Sequence, residues 1–282
     1  MIKVSHPEAL RSWLDWQRSK GRSVGFVPTM GALHEGHAQL VRKARAENDV
    51  VAVSIFVNPT QFNDPKDLVN YPRTLEADAQ LLEAEGCDVI FAPGVDEMYP
   101  EGFVEPPLAV SLNGLDQLME GALRPGHFMG VMQVVNKLFE AVGPCHAYFG
   151  QKDFQQLAIV RRMTAELQLP VTIVPCPIVR ETDGLAMSSR NRRLLPHERA
   201  VAPLIYQALQ LAHSLWDTLP AAEIERRAAE FLIREPLFTL EYFQIVDADT
   251  LQPVAEGQKK NAVACIAARL GVIRLIDNAV LG

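Results

Sequence analysis

Two histidines stand three residues apart in the segment Pro28-Thr-Met-Gly-Ala-Leu-His-Glu-Gly-His37, which follows a short apolar run at 24–27. The glycines of this segment allow tight turns and a close approach of the backbone to a ligand. A helix that begins at Gly36 or His37 would direct N–H groups and a partial positive charge toward an anion. His34 and His37 would share one face of its first turn. The pattern predicts a phosphate site at which two imidazoles stabilise growing negative charge.

Two further loops carry groups that bind phosphate. In Gly150-Gln-Lys-Asp153, Lys152 could reach phosphate oxygens and Asp153 could cap the helix that begins at Phe154. Met187-Ser-Ser-Arg190 adds two hydroxyls and a guanidinium. Alone, a lysine in a loop is usually just solvated, the segment Met187–Arg190 fits a polar linker equally well, and histidines also cap helices or pack without further function. Together, these groups suit a triphosphate.

Three other residues suit different ligands. Gln61 and Gln156 carry neutral amides, which donate and accept hydrogen bonds and so can orient a small polar substrate, although an ordinary helix or surface glutamine fits the spacing as well. Asp78 could help hold Mg²⁺ beside the phosphates, since magnesium in nucleotide sites takes one or two carboxylates. A solvated helix face explains the same acidic residue.

The elements that must position these residues alternate over the first 180 residues. Apolar runs predict strands at 24–27, 50–57, 88–92, 145–149 and 171–174, and amphipathic stretches predict helices at 37–47, 74–85, 129–141 and 154–167. Strand and helix in alternation predict a parallel sheet covered on both faces. Ligands of such sheets bind at the carboxyl ends of the strands, where the polar loops above fall.

The pattern changes after Val179. Helices are predicted at 197–216 and 221–233, followed by strands at 240–247, 262–268 and 272–277. Helices followed by clustered strands indicate a separate, smaller α+β unit. We therefore predict an α/β fold with a nucleotide-binding parallel-sheet domain at 1–179 and an α+β domain at 180–282.

Composition excludes several classes of protein. The chain has 282 residues, 48% of them hydrophobic, and a net charge of −7. This acidity argues against broad nucleic-acid binding, and the longest apolar run is far shorter than the roughly 20 residues that span a bilayer. The first ten residues carry no signal-peptide pattern. Four widely spaced cysteines predict buried thiols in a reducing cytosol rather than a zinc site.

Six segments in this order resemble the pantoate–β-alanine ligase family over nearly the whole chain: PTMGALHEGH, FVNPTQF, YPRT, RPGHF, FGQKDFQQ and GLAMSSRN. The resemblance implies a Rossmann-like domain of the HIGH nucleotidyltransferase type, a smaller C-terminal lid domain, a homodimer and a cytoplasmic location. It implies that ATP, (R)-pantoate and β-alanine are the small-molecule partners and that Mg²⁺ accompanies ATP. The implied reaction is the ATP-dependent condensation of (R)-pantoate with β-alanine through a pantoyl adenylate, which releases AMP and diphosphate.

The resemblance also implies residue roles. His37, His34 and Lys152 are the expected catalytic residues, Gln61 and Gln156 are expected to bind pantoate, and Gln61 is expected to bind β-alanine as well. The expected contacts of ATP are Met30, Gly31, Ala32, Leu33, His34, Glu35, Gly36, His37, Gly150, Gln151, Lys152, Asp153, Val179, Met187, Ser188, Ser189 and Arg190. Met129 and Gln133 differ from the family pattern near the pantoate pocket.

Three other functions share part of this pattern. A nucleotidylyltransferase with a phosphorylated acceptor shares the histidines but needs basic ligands where this chain has Gln61 and Gln156. A tRNA-charging enzyme is disfavoured by size, acidity and the lack of an RNA-binding module. An ATP-binding sensor would not need to retain both histidines, Lys152 and Arg190.

Overall fold

The computed structural model of the chain describes residues 1–63, 65–103 and 108–282. The chain divides into two compact units. The first unit comprises Met1–Gln151 and Gln156–Pro177, and the second comprises Lys152–Gln155 and Ile178–Gly282. The assignment of 1–179 to substrate binding and of 180–282 to a lid stays a prediction.

A parallel sheet forms the centre of the first unit. Its strands are β1 (Ile2–Val4), β2 (Val24–Thr29), β3 (Val50–Ile55), β4 (Val89–Phe91), β5 (Cys145–Gly150) and β6 (Val171–Cys176). The helices along this part of the chain are α1 (Pro7–Ser19), α2 (Glu35–Glu47), α3 (Pro65–Val69), α4 (Leu75–Ala84), α5 (Val95–Met98), α6 (Met119–Leu123), α7 (His127–Val142) and α8 (Phe154–Glu166), with a 3₁₀ turn at Pro59–Gln61. The strand order is β1-β4-β3-β2-β5-β6.

The direction of winding reverses between β2 and β5, and these two strands pair only briefly. Their pairing covers Gly25 with His146 and Phe26 with Ala147. Beyond it, β2 continues beside β3 to Thr29, and β5 continues beside β6 to Gly150. The two strands therefore diverge toward their carboxyl ends. Such a switch point is where ligands bind in open parallel sheets.

Both faces of this sheet are covered, as the sequence pattern predicts. Val27 shares a buried cluster with Val41 of α2 and Leu82 of α4. The next side chain along β2, Phe26, contacts Phe139 of α7 with ring centroids 6.4 Å apart. Because consecutive strand residues point to opposite faces, α2 and α4 cover one face and α7 covers the other.

The second unit is smaller and has an antiparallel sheet of order β7-β8-β9. Its elements are a 3₁₀ turn at Ser189–Arg193, α9 (Pro196–Val201), α10 (Leu204–Leu215), α11 (Ala221–Ile233), β7 (Phe238–Asp247), β8 (Ala262–Leu270) and β9 (Ile273–Val280). Leu209 of α10, Ala228 of α11 and Ile266 of β8 share one buried core. The parallel sheet and this α+β unit confirm the predicted fold class.

Two features of the sequence prediction are wrong. The single helix expected at 197–216 is two helices, because Pro203 has no N–H to continue the ladder and α10 restarts at Leu204. The strand expected to end at Asp277 continues to Val280, which brings Asn278 into β9.

The first strand and helix of the chain were not predicted. β1 has only three residues and pairs with β4 at the edge of the sheet, so it is too short to give a periodic signal. The start of α1 was readable, since Pro7 occupies the first turn and Leu10 and Leu14 are buried at helical spacing. Within the described ranges, no helix is long and apolar enough to cross a bilayer.

All four cysteines lie in the described residues, and each is a thiol. Cys87, Cys176 and Cys265 are buried as predicted, whereas Cys145 is half-buried because it begins β5 at the end of the sheet. Burial raises the pKa of Cys87 and of Cys145 to about 12 and that of Cys176 to about 11. Almost no thiolate of these three exists at neutral pH.

We therefore expect Cys87, Cys145 and Cys176 of the native protein to react slowly with a thiolate-directed disulfide reagent at pH 8, because the thiolate is the nucleophile. The rate for these three thiols should rise about tenfold for each pH unit up to pH 10. In guanidinium chloride, all four thiols should react within the mixing time of a manual assay. Rapid labelling of Cys87 in the folded protein at pH 8 would contradict this account.

Candidate active site

The loop after β2 has an unusual backbone that a buried carboxylate holds in place. Gly31 has φ +81° and Ala32 has φ +50°, a region that L-residues rarely adopt. The backbone N–H groups of Ala32 and Leu33 donate to the two oxygens of Asp78 at 3.0 and 2.8 Å. Asp78 belongs to α4 and is only 3% exposed. The carboxylate thus compensates for the cost of burying these amide donors.

A further hydrogen bond to Asp78 and the close packing around Gly31 also hold the loop. The hydroxyl of Thr74 donates to Oδ1 of Asp78 at 3.1 Å. A Cβ at Gly31 would lie 3.0 Å from Oδ2 of Asp78 and 3.0 Å from Cγ2 of Ile55, so glycine is favoured there by space as well as by φ. The Asp78 oxygens thus accept three hydrogen bonds within the protein. The magnesium role of Asp78 stays a prediction, and these bonds support a loop-holding role instead.

The two histidines form a reciprocal cap at the start of α2. The helix begins at Glu35, one residue before the earliest predicted start, with His34 as its N-cap. Nδ1 of His34 accepts from the N–H of Gly36 at 3.1 Å, and Nδ1 of His37 accepts from the N–H of His34 at 3.3 Å. The ring centroids lie 4.2 Å apart. The spacing argument that placed both rings on one face is confirmed.

This cap has a chemical consequence. An imidazole whose Nδ1 accepts a hydrogen bond carries its proton on Nε2 when the ring is neutral. His34 and His37 therefore each combine a capping acceptor with an Nε2–H donor at the positive end of the α2 dipole. The capping and functional interpretations of the histidines are compatible because they use different nitrogens.

Gln61 lies beside the same loop. It ends the 3₁₀ turn after β3, and its Nε2 is 2.7 Å from Sδ of Met30. Nδ1 of His127 lies 2.8 Å from the carbonyl oxygen of Gln61. The structure therefore brings the predicted residues Met30 and Gln61 into contact, and His127 contacts the Gln61 backbone rather than its amide side chain.

Asn58 holds the turn that carries Gln61. Its Nδ2 donates to the carbonyl of Gly130 at 3.1 Å, and its Oδ1 accepts from the hydroxyl of Tyr99 at 2.9 Å. A Cβ at Gly130 would lie 2.5 Å from the carbonyl oxygen of Thr60. Helix α7 therefore approaches this turn too closely for any residue other than glycine at this position. Sequence reasoning missed Tyr99 and Gly130, whose contacts depend on long-range packing.

The remaining predicted residues of the first unit lie on or after β5. Gly150 pairs with Cys176, and the N–H of Gln151 donates to the carbonyl of Cys176 at 2.8 Å. Gln156 is half-buried in the first turn of α8. The described contacts therefore fix the end of β5, and the role of Gln156 stays a prediction.

In the second unit, the predicted nucleotide contacts Val179 and Met187 lie at the two ends of a short hairpin, residues 179–187, while Lys152 and Asp153 belong to the separate segment Lys152–Gln155. The N–H of Met187 donates to the carbonyl of Val179 at 2.9 Å, which closes this hairpin. Oγ of Ser188 then accepts from the N–H of Arg190 at 3.3 Å, so Ser188 caps the following 3₁₀ turn. The amide of Asn191 donates to the carbonyl of Ala186 at 3.0 Å. The hairpin and the Ser188–Arg190 loop are therefore fixed to one another.

An ion-pair cluster braces the tip of the hairpin. Arg199 of α9 donates to Glu181 and to Asp183 at 2.6 Å each. The hydrogen bond from Arg199 lowers the pKa of Asp183, and the same bond raises the pKa of Arg199. Both groups therefore stay charged at neutral pH.

Comparison with known proteins agrees with this arrangement. The profile of the pantoate-beta-alanine ligase family matches residues 3–280. The pantothenate synthetase of Bacteroides fragilis is 52% identical over 279 residues, which cover 98% of each chain. The chain belongs to the pantoate-beta-alanine ligase family. It is therefore an enzyme, a ligase whose family identity supports the formation of pantothenate.

Solved structures agree with this membership. A crystal structure of the pantothenate synthetase from Thermus thermophilus matches the ligase with a TM-score of 0.91 and 47% identity over 99% of each chain. The pantoate-beta-alanine ligase from Francisella tularensis, solved with beta-gamma ATP and beta-alanine, matches with a TM-score of 0.78 and 35% identity over 99% of this chain and 97% of that chain. The predicted family and reaction class are confirmed, and the individual residue roles stay predictions.

The loop-holding role of Asp78 is testable apart from catalysis. Asp78→Ala removes the acceptor of two backbone amides and one hydroxyl, so we expect a loss of about 2–4 kcal/mol in the free energy of unfolding in urea. The measurement is made in EDTA, where a magnesium ligand would contribute nothing. Glu76→Ala, an exposed change on the same helix, should cost less than about 0.5 kcal/mol. Equal stability of the two variants would exclude the role.

Proposed function

We propose that this ligase joins (R)-pantoate to β-alanine with ATP, through a pantoyl adenylate, and releases AMP and diphosphate. The observation that carries the proposal is the pair of capping imidazoles at the start of α2, in a loop after β2 whose Met30 contacts Gln61. A carboxylate does not condense with an amine at neutral pH without activation, so adenylation supplies the leaving group.

In the first step, a carboxylate oxygen of pantoate attacks the α-phosphorus of ATP, and the bond from that phosphorus to the bridging oxygen breaks. Negative charge grows on the oxygens around the reacting phosphorus and on diphosphate. The Nε2–H groups of His34 and His37 donate to the α-phosphoryl oxygens. Their orientation is set in advance by the capping bonds, so little reorganisation is needed during reaction.

In the second step, the amine of β-alanine attacks the acyl carbon, and AMP leaves with the electrons of the acyl–oxygen bond. The nitrogen loses a proton to water as the amide forms. Gln61 and Gln156 hold pantoate by its hydroxyl and carboxylate groups, and Gln61 also contacts β-alanine. The short distance between Gln61 and Met30 supports a pantoate position next to the histidine loop.

The second unit contributes cationic and hydroxyl groups to ATP binding in this proposal. Lys152 and the loop Ser188–Arg190 bind the outgoing diphosphate, Val179 and Met187 contact the nucleotide through the hairpin, and Asp153 belongs to the same loop as Lys152. The closed hairpin and the cap at Ser188 support these roles, since they hold the backbone in one conformation. The ATP and β-alanine of the Francisella tularensis structure support the same ligands here.

Mg²⁺ enters this proposal with ATP and shares the charge of its phosphates. Among the described residues, no group of three or more His, Cys, Asp or Glu could hold a metal ion. Bound together with ATP, Mg²⁺ would take most of its ligands from phosphate oxygens and water, as is usual for magnesium in nucleotide sites. A homodimer and a cytoplasmic location are proposed from the same family resemblance.

Isotope transfer tests the adenylate directly. With (R)-pantoate labelled by ¹⁸O in its carboxylate, we expect one labelled oxygen in each AMP and the other in the amide carbonyl of pantothenate, because adenylation makes that oxygen the acyl–phosphate bridge. The products are measured by mass spectrometry. Release of ADP and phosphate, or AMP without label, would refute the proposed intermediate.

The proposed catalytic role of His37 can be separated from its capping role by experiment. His37→Ala should lower the adenylation rate by about 10²–10³-fold and the free energy of unfolding by about 1 kcal/mol. His37→Gln keeps an acceptor suited to this third helical position, so it should recover most of the stability but not the rate. The rate is followed as diphosphate release in rapid-quench experiments. Recovery of the rate in His37→Gln would assign His37 to capping alone.

A further inference from the structure

Strand β9 carries two consecutive buried polar side chains. Asp277 is 3% exposed and Asn278 is 4% exposed, and both belong to the second unit. Burying such groups costs free energy unless they find hydrogen-bond partners. Because consecutive strand residues point to opposite faces, the two side chains reach different neighbours.

Asp277 fixes the hairpin of residues 179–187. The guanidinium of Arg180 donates to the two carboxylate oxygens of Asp277 at 2.6 and 3.1 Å. The same guanidinium donates to the carbonyl of Gly184 at 3.1 Å and lies 3.9 Å from the ring centroid of Tyr206. A planar guanidinium that is paired at its edge and stacked on its face has little freedom. Arg180 therefore ties the hairpin to β9.

Asn278 fixes the loop that contains Lys152. Its Nδ2 donates to the carbonyl oxygen of Lys152 at 2.9 Å, and the two residues are 126 positions apart in the chain. The contact is made to the backbone and does not use the Lys152 ammonium group. It therefore sets where the lysine side chain starts without neutralising the charge that a phosphate would bind.

We propose that Asp277 and Asn278 are positioning residues that set the distance between Lys152 and the 179–187 hairpin. Two adjacent residues of one rigid strand hold both segments, one through Arg180 and one directly. The inference rests on the proposed function, in which Lys152, Val179 and Met187 contact ATP. It assigns β9, which carries none of the predicted ligand contacts, a part in nucleotide binding.

Asn278→Ala tests the direct contact between β9 and the Lys152 carbonyl. Loss of the donor lets the Lys152 carbonyl shift, and small misplacements of a binding group cost up to about 100-fold in rate. We expect kcat/KM for ATP to fall about 10- to 100-fold, while KM for β-alanine changes less than twofold. Asn278→Ser, whose shorter hydroxyl does not span the 2.9 Å contact, should give the same change if the alanine variant fails to fold.

Leu275→Ala is the matched control. Leu275 is buried in the same strand and belongs to the core of the second unit, so its truncation lowers the melting temperature without removing a contact to Lys152 or Arg180. We expect the control to lose stability while kcat/KM for ATP at 25 °C stays within threefold of the parent. An equal fall in both variants would overturn the inference, since the effect would then be one of stability.

A double-mutant cycle separates this inference from the proposed function. If Asn278 acts through Lys152, then Lys152→Ala with Asn278→Ala should bind ATP no more weakly than Lys152→Ala alone, as measured by titration calorimetry. Additive losses would overturn the positioning role alone. Unchanged ATP affinity in Lys152→Ala would overturn the role of Lys152 in the proposed function, and the inference with it.

Discussion

The divergence of β2 from β5 is the constraint on which the first unit depends. The strands pair at two positions and then separate, each continuing beside its other neighbour. Pro28, which has no N–H for a ladder bond, lies in the diverging part of β2. The histidine loop follows the end of β2, and Gly150 ends β5. Both segments therefore leave the sheet at its switch point, which is where ligands bind in open parallel sheets.

Two segments that carry predicted ligand contacts are held in place through their backbones. Asp78 accepts from the amides of Ala32 and Leu33, and Asn278 donates to the carbonyl of Lys152. In each case, a buried polar side chain contributed by a distant element contacts the main chain of a predicted ligand-binding residue. Such contacts restrict the position of a segment while leaving its side-chain chemistry available. The histidine rings separate their tasks in the same way, since Nδ1 caps the helix and Nε2–H is left as a donor.

The two units present groups that suit phosphate with different geometry. In the first, a helix N-terminus and two imidazoles whose Nδ1 atoms accept hydrogen bonds leave N–H donors that suit the oxygens of a phosphoryl group. In the second, a closed hairpin and a capped 3₁₀ turn support the loop that contains Ser188 and Arg190. The second arrangement places hydroxyl and guanidinium groups in one loop, and guanidinium groups pair strongly with phosphate.

Local sequence determined the elements and the motifs of this protein, because helix periodicity, apolar strands and capping residues act over a few neighbours. The spacing of His34 and His37 thus predicted a shared face, and six family motifs predicted the fold class and the reaction. Tertiary structure alone decided which strand ends face one another and what Asp78 and Asn278 contact. Those contacts join residues 45 and 126 positions apart, and no short-range pattern encodes such a pairing. The partners of Asp277 and Asn278 in β9 likewise depend on tertiary structure, since these two buried polar residues acquire them only when the chain is folded.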